Sequence, residues 1–241
     1  MHGLNRKLHE MKKSSWLILF FTCLFVNLLG IYLNIELLQT ISKPLLIVIL
    51  TVCFFTLTKT IQSNLKKWIL AALFFSWMGD VLLMFQSKNE LFFLLGLSAF
   101  LIAHIFYIIF FHNVRIKENL KSSWLLLLIV VVYYFVLITF LSPHLGKMKL
   151  PVGIYGIVIS FMLMLALHML FIKNKMAGRS MMTGALLFVL SDSTLAINKF
   201  YQSFQFAGII IMLTYGAAQF FITKGSSYYI SRGKTVLAQP N

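Results

Sequence analysis

Short polar gaps cut this chain into eight long apolar runs, and that pattern limits what it can become. The runs cover roughly 16–34, 44–58, 68–86, 91–111, 123–141, 151–171, 180–198 and 205–223. A membrane-spanning helix takes about 20 mostly apolar residues. It spans the bilayer because it satisfies its own backbone N–H and C=O groups where water is absent. Only 11% of the 241 residues are charged and the mean hydropathy is +0.89, whereas a soluble domain is about 25% charged. The sequence therefore predicts an all-α, polytopic membrane helix bundle with eight transmembrane helices, forming one domain over 16–223. A basic N-terminus, 1–15, precedes it, and a polar tail, 224–241, is expected to be loose. The first run follows Arg6, Lys7, Lys12 and Lys13 and has no small-x-small cleavage site behind it, so it reads as a span rather than a cleaved leader. Pro44 is expected in the first turn of the second span, where its missing N–H is not needed.

The net charge of +15 raises the question of nucleic acid. The positive residues sit in scattered gaps and make no basic helix or patch, which excludes a nucleic-acid surface. Sixteen of the 21 Lys and Arg fall in the N-terminus, the 2–3, 4–5 and 6–7 gaps and the tail. Under the positive-inside rule both termini are then cytoplasmic, as expected for a protein of the bacterial cytoplasmic membrane, with basic side chains near anionic lipid head groups. Cys23 and Cys53 lie in apolar runs and read as packing thiols.

Two spans each carry one aspartate. Asp80 follows Ser76-Trp77-Met78-Gly79, and Asp192 follows Val189-Leu190-Ser191; the chain has no other aspartate. A carboxylate at the centre of a span costs about 2.5–3.5 kcal/mol on insertion scales, so its presence argues for function. The two are 112 positions apart, and Gly96 and Gly208 each follow an aspartate by 16. Spans 3 and 7 run in the same direction. These matches suggest two four-helix halves in parallel orientation. Each aspartate lies about 12 residues from the cytoplasmic start of its helix, or roughly 18 Å at 1.5 Å per residue, near the midplane and slightly to the outer side.

Other polar residues mark the spans. Lys43 precedes Pro44, His104 and Tyr107 are one turn apart on span 4, and Tyr155 is in the first turn of span 6. Ser191 adjoins Asp192, Asn198 and Lys199 close span 7, and Tyr215 and Gln219 share one face of span 8. Each also has a plain structural explanation. Lys43 and Lys199 can snorkel to the interface, and Tyr155 and Tyr201 suit an aromatic belt. His104 can bond neutrally across helices, and Ser191 can serve a backbone carbonyl. Asp80, Asp192, His104 and His168 include metal-ligand types, but no HxxxH or HxxE spacing pairs two on one helix face. His168 is expected near the inner end of span 6, away from the aspartates. There is no G-x-S-x-G elbow and no P-loop. Ser191 and Asp192 point about 100° apart on a helix and make no nucleophile–base pair. No metal and no organic cofactor is expected.

These residues resemble the YhhN family, the lysoplasmalogenase-like group of membrane proteins. The matching pieces are Ser42-Lys43-Pro44; Phe75-Ser76 with Gly79-Asp80 and Leu82-Leu83; and Gly96 with Phe100, His104 and Tyr107. Tyr155 after Pro151, Ser191-Asp192 with Leu195-Ala196 and Asn198-Lys199-Phe200, and Tyr215 with Gln219 complete the ordered set. The resemblance implies an eight-span bundle and hydrolysis of the vinyl ether bond of lysoplasmalogens, giving a fatty aldehyde and a glycerophospho-alcohol. It makes Asp80 and Asp192 the candidate catalytic residues. Lys43, His104, Tyr107, Tyr155, Ser191, Asn198 and Lys199 are the candidates for holding a lysophospholipid, with membrane lipids as surroundings.

Vinyl ether hydrolysis needs a proton donor, an anion facing the oxocarbenium ion and a positioned water. Two carboxyls can divide that work, as in glycosidases. Two other functions fit the same residues. A proton-coupled transporter of a small or lipid-like solute also needs midplane carboxyls. A lipid-binding scaffold would use the aspartates only to bond neighbouring helices.

Overall fold

The structure, a computed structural model, describes the backbone of residues 2–237 and the side chains of 15–231. The basic side chains expected at 1–14, and the last residues of the tail, lie outside the described residues. Eight α-helices follow one another: α1 (His2–Tyr32), α2 (Glu36–Thr58), α3 (Lys66–Met84), α4 (Glu90–Lys117), α5 (Trp124–Leu141), α6 (Lys149–His168), α7 (Lys175–Ala196) and α8 (Ala207–Leu237). All eight are long and apolar enough to cross a membrane, and the protein is an integral membrane helix bundle.

Local chemistry sets the helix ends. Asn89 caps α4 by accepting from Leu91 N–H at 2.8 Å, and Asn174 caps α7 by accepting from Ala177 N–H at 3.2 Å. α1 and α4 end in the same way, with an asparagine at positive φ: Asn34 at 56° and Asn119 at 54°. In each case the next amide turns back to a carbonyl five residues earlier (Ile35 N–H to Gly30, Leu120 N–H to Arg115), as in a Schellman cap.

Six helices form a closed ring in the order α2, α3, α4, α6, α7, α8, and α8 returns to α2. α1 lies outside against α2 and α8, while α5 lies outside against α6. Advancing each helix by four maps this ring onto itself: α2–α3 onto α6–α7, α3–α4 onto α7–α8, and α4–α6 onto α8–α2. Of α5, only Val130 and Leu141 are buried. The close pairs rely on glycine. A Cβ on Gly79 would sit 2.6 Å from the Phe100 ring, and one on Gly184 would sit 2.7 Å from Ile222 N and 2.8 Å from the Ala218 carbonyl oxygen. Helices in lipid gain little from hydrophobic contact with each other, so small residues that let backbones approach carry the packing.

Three boundaries depart from expectation. α2 begins at Glu36, so Pro44 lies inside the helix and not in its first turn. α1 is bonded to α2 just before Pro44: Asn27 Nδ2 donates to Ser42 Oγ at 2.8 Å and to the Gln39 carbonyl at 3.3 Å, and Cys23 Sγ lies 3.3 Å from the Ser42 carbonyl. The early start also draws Lys43 from the expected gap into the helix. The stretch after 223, expected to be loose, continues α8 to Leu237. Gly225 permits this, because a Cβ there would meet Met181 and the Ala177 carbonyl oxygen of α7 at 2.7 and 2.8 Å; Ser226, Ser227, Tyr229 and Ile230 are buried as a result. Finally, α7 runs on into a five-residue π-turn, Ile197–Tyr201.

Candidate active site

Each aspartate lies four residues before the end of its α-helix. Asp80 is therefore about 8 Å past the centre of α3 at 1.5 Å per residue. It is 1% exposed. Tyr215 of α8 donates its hydroxyl to Oδ2 at 2.6 Å, and Lys43 Nζ of α2 stands 3.6 Å from Oδ1. Asp192 is 17% exposed. Tyr155 of α6 donates its hydroxyl to Asp192 Oδ2, and His104 Nε2 of α4 stands 3.9 Å from the same oxygen.

A chain of polar residues runs from α4 to Asp80. Tyr107 donates to Gln219 Oε1 at 2.6 Å, and Gln219 Nε2 lies 3.5 Å from the Tyr215 hydroxyl, so Tyr107 of α4 is coupled to Asp80 through α8. The Phe188 ring lies between, 4.6 Å from the His104 ring and 5.5 Å from the Tyr215 ring.

Asp192 also marks the meeting of two apolar clefts. One lies between α5, α6 and α7 and is lined by Tyr133, Tyr134, Leu137, Ile138, Gly156 and Ile159, among others. The second lies between α3, α4, α6 and α7 and is lined by Leu83, Phe93, Leu97, Phe100, Leu195 and Phe200. Val152, Tyr155, Asp192 and Ala196 belong to both.

Of the residues singled out from sequence, Asp80, Asp192, Lys43, His104, Tyr107 and Tyr155 gather in this centre. Ser191 does not face Asp192's partners. Its hydroxyl donates to the Ile211 carbonyl of α8 at 3.0 Å. Asn198 accepts from Phe204 N–H at 3.2 Å and holds the turn into α8. Lys199 lies over Phe93, 5.0 Å from its ring centroid, at one end of the second cleft. His168 is engaged elsewhere. Its Nδ1–H donates to the Met164 carbonyl at 2.7 Å, and Nε2 accepts from Ser123 N–H at 3.2 Å. Among the described residues no group of three or more His, Cys, Asp and Glu could hold a metal ion. Sequence reasoning did not select Tyr133 and Ser193, whose hydroxyls lie 2.7 Å apart and link α5 to α7. The clue available was Ser193's place beside Asp192.

Fold and site together define a class: a polytopic α-helical membrane protein with one buried and one partly exposed carboxyl on two helices of a ring. The chain belongs to the YhhN family, whose profile matches residues 38–226. Among curated proteins it is similar to Lysoplasmalogenase TMEM86B of Rattus norvegicus, 34% identical over 65% of this chain and 60% of that protein. It is similar to Lysoplasmalogenase TMEM86B of Homo sapiens, 33% identical over 63% of this chain and 60% of that protein. It is also similar to a Lysoplasmalogenase of Mycobacterium tuberculosis, 29% identical over 66% and 60%. The match thus spans about 60% of the length of these relatives. No solved structure matches the chain significantly.

Proposed function

We propose that this protein is a membrane lysoplasmalogenase, cleaving the vinyl ether bond of a lysoplasmalogen to a fatty aldehyde and a glycerophospho-alcohol. The observation that carries the proposal is a partly exposed carboxyl, Asp192, at the meeting of two apolar clefts, with a second carboxyl, Asp80, on α3, the helix that forms one wall of the second cleft. Relatives named lysoplasmalogenase support it.

The reaction suits these residues. A carboxylic acid gives its proton to the β-carbon of the vinyl ether, and the π electrons form the new C–H bond. The resulting oxocarbenium ion is stabilised by a carboxylate. Water adds to the α-carbon and loses a proton, which restores the acid. The hemiacetal then collapses, its C–O bond breaking as the hydroxyl proton passes to the leaving oxygen. Acid–base assistance of this kind contributes about 10²–10⁴-fold. The apolar lining of the two clefts suits the substrate's single chain. Lys43 and Lys199 are positive charges suited to a phosphate; Tyr155 and His104 flank Asp192, and Tyr107 acts through Gln219 on Tyr215, the donor to Asp80. The basic bias of alternate gaps supports both termini on the cytoplasmic side of a bacterial membrane.

The test is aldehyde release from a lysoplasmalogen by the purified protein in detergent, with Asp80→Asn and Asp192→Asn beside it and a chelator in one arm. Aldehyde from the native protein, lost in both variants and insensitive to chelator, is expected. No aldehyde from folded protein would overturn the substrate assignment. The four-helix correspondence of the ring favours one second reading, a transporter. It predicts solute flux into sealed vesicles with no chemical change.

A further inference from the structure

The correspondence between the two halves of the ring reaches the side chains. Lys43 and Tyr155 are 112 positions apart, as are Asp80 and Asp192. In one half Asp80 of α3 stands between Lys43 of α2 and Tyr215 of α8. In the other, Asp192 of α7 stands between Tyr155 of α6 and His104 of α4. Equivalent helices thus supply a cation to one carboxyl and a neutral phenol to the other.

His104 extends the contrast. Its Nδ1 lies 2.6 Å from the Phe100 carbonyl oxygen, and a carbonyl only accepts, so Nδ1 carries the hydrogen. Nε2 is fully buried, has no hydrogen-bond partner and faces Asp192 Oδ2 across 3.9 Å. Were the ring an imidazolium and Asp192 a carboxylate, a charge-assisted bond near 2.7–2.9 Å would form, because a buried unpaired N–H⁺ is costly. The gap is too wide for such an ion pair, so His104 supplies no cation to Asp192. Tyr133, bonded to Ser193, and Asp80 are the other titratable groups near Asp192, and neither supplies a positive charge.

We infer that the two aspartates are not interchangeable: Asp192 is the proton donor to the vinyl ether, and Asp80, paired with Lys43, is the standing anion. His104 is a positioning residue whose free Nε2 faces the Asp192 acid. Exposure agrees with these roles, since Asp192 at 17% lines both clefts while Asp80 at 1% lines neither. This assignment rests on the hydrolase proposal for its chemistry, while the contrast between a carboxyl beside a cation and one without stands on geometry.

The test is infrared spectroscopy of the purified full chain in detergent near neutral pH, following the carbonyl stretch of a protonated carboxylic acid and its downshift in D₂O. One acid band is expected in the native protein, retained in Asp80→Asn and lost in Asp192→Asn. Lys43→Met, which removes the cation, is expected to add a second acid band. His104→Gln is expected to move the native band without removing it; an unmoved band would overturn the part given to His104. No acid band, or one lost only in Asp80→Asn, would overturn the assignment. Each variant is compared at matched helical circular dichroism, so that a lost band is not a lost fold. A band assigned to Asp192 in a protein that releases no aldehyde would sink the substrate and leave the proton assignment in place.

Discussion

Tyr107 of α4 and Gln219 of α8 are separated by 112 residues, the same interval as the two aspartates, and they bond to each other at 2.6 Å. A pair of equivalent positions meets across the ring, at the junction between its halves. Gln219 continues toward Tyr215 and so toward Asp80. The contact therefore joins the halves and also orients the donor on one carboxyl.

Tyr215→Phe should lower aldehyde release more than Tyr107→Phe. The first removes a hydroxyl bonded directly to Asp80, and a bond to a charged group is worth about 1.5–3 kcal/mol, or roughly tenfold or more in rate. The second acts two bonds away and should cost about 1 kcal/mol of stability with a smaller kinetic effect. Steady-state rates beside thermal melts of both variants check the order.

Gly184→Ala should destabilise the protein by about 1–3 kcal/mol, the usual range for overpacking, because the new methyl meets the backbone of α8 at Ile222 and Ala218. Gly153→Ala is the control. Its nearest neighbour is the Tyr134 hydroxyl at 3.9 Å, so its melting temperature should stay close to the native value.

Gly156→Leu should shorten the preferred alkenyl chain. A Cβ at Gly156 already stands 3.0 Å from the Tyr134 ring in the cleft between α5, α6 and α7, and a larger side chain fills that space. A methylene is worth about 10–200-fold in discrimination. Relative kcat/KM across a chain-length series is the measurement, and a uniform loss at all lengths would count against this cleft as the tail site.

Glu118→Ala should cost stability and spare the chemistry. Its carboxylate accepts from Lys173 N–H at 3.0 Å and from Tyr229 OH at 3.1 Å, tying the end of α4 to the start of α7 and to α8. Loss of both bonds should lower stability by about 1–3 kcal/mol, with kcat unchanged at a temperature where the variant is folded.

The eight helices were legible because each has to be apolar over about 20 residues. Asp80 and Asp192 were legible for the complementary reason, since a carboxyl inside such a run has no plain excuse. Lys43 was harder to interpret. Proline at 44 signals a helix start in water, but α2 begins at Glu36 and continues through it, and that places Lys43 inside the helix beside Asp80. The partners of Asp192 were individually visible, yet the sequence does not say that Tyr155 and His104 approach the same oxygen from α6 and α4. The tail was misjudged because Gly225 and the serines after it look like linker, whereas in a bundle small residues mark close packing. Ser191 and Asn198 look chemical from their neighbours and prove to be engaged with backbone.

The Lys43–Asp80 pair has a consequence for energetics across the bilayer. On the proposed assignment, with Lys43 positive, Asp80 negative and Asp192 and His104 neutral, the resting centre carries no net charge. In the proposed reaction Asp192 lends its proton and recovers it from water within one turnover. No charge is carried from one face to the other. A membrane voltage does about 2.3 kcal/mol of work per elementary charge per 100 mV, and here it has no net charge to act on. Hydrolysis should therefore run at the same rate in energised and de-energised vesicles, whereas a carrier built on the same two carboxyls and coupled to proton movement would respond to voltage.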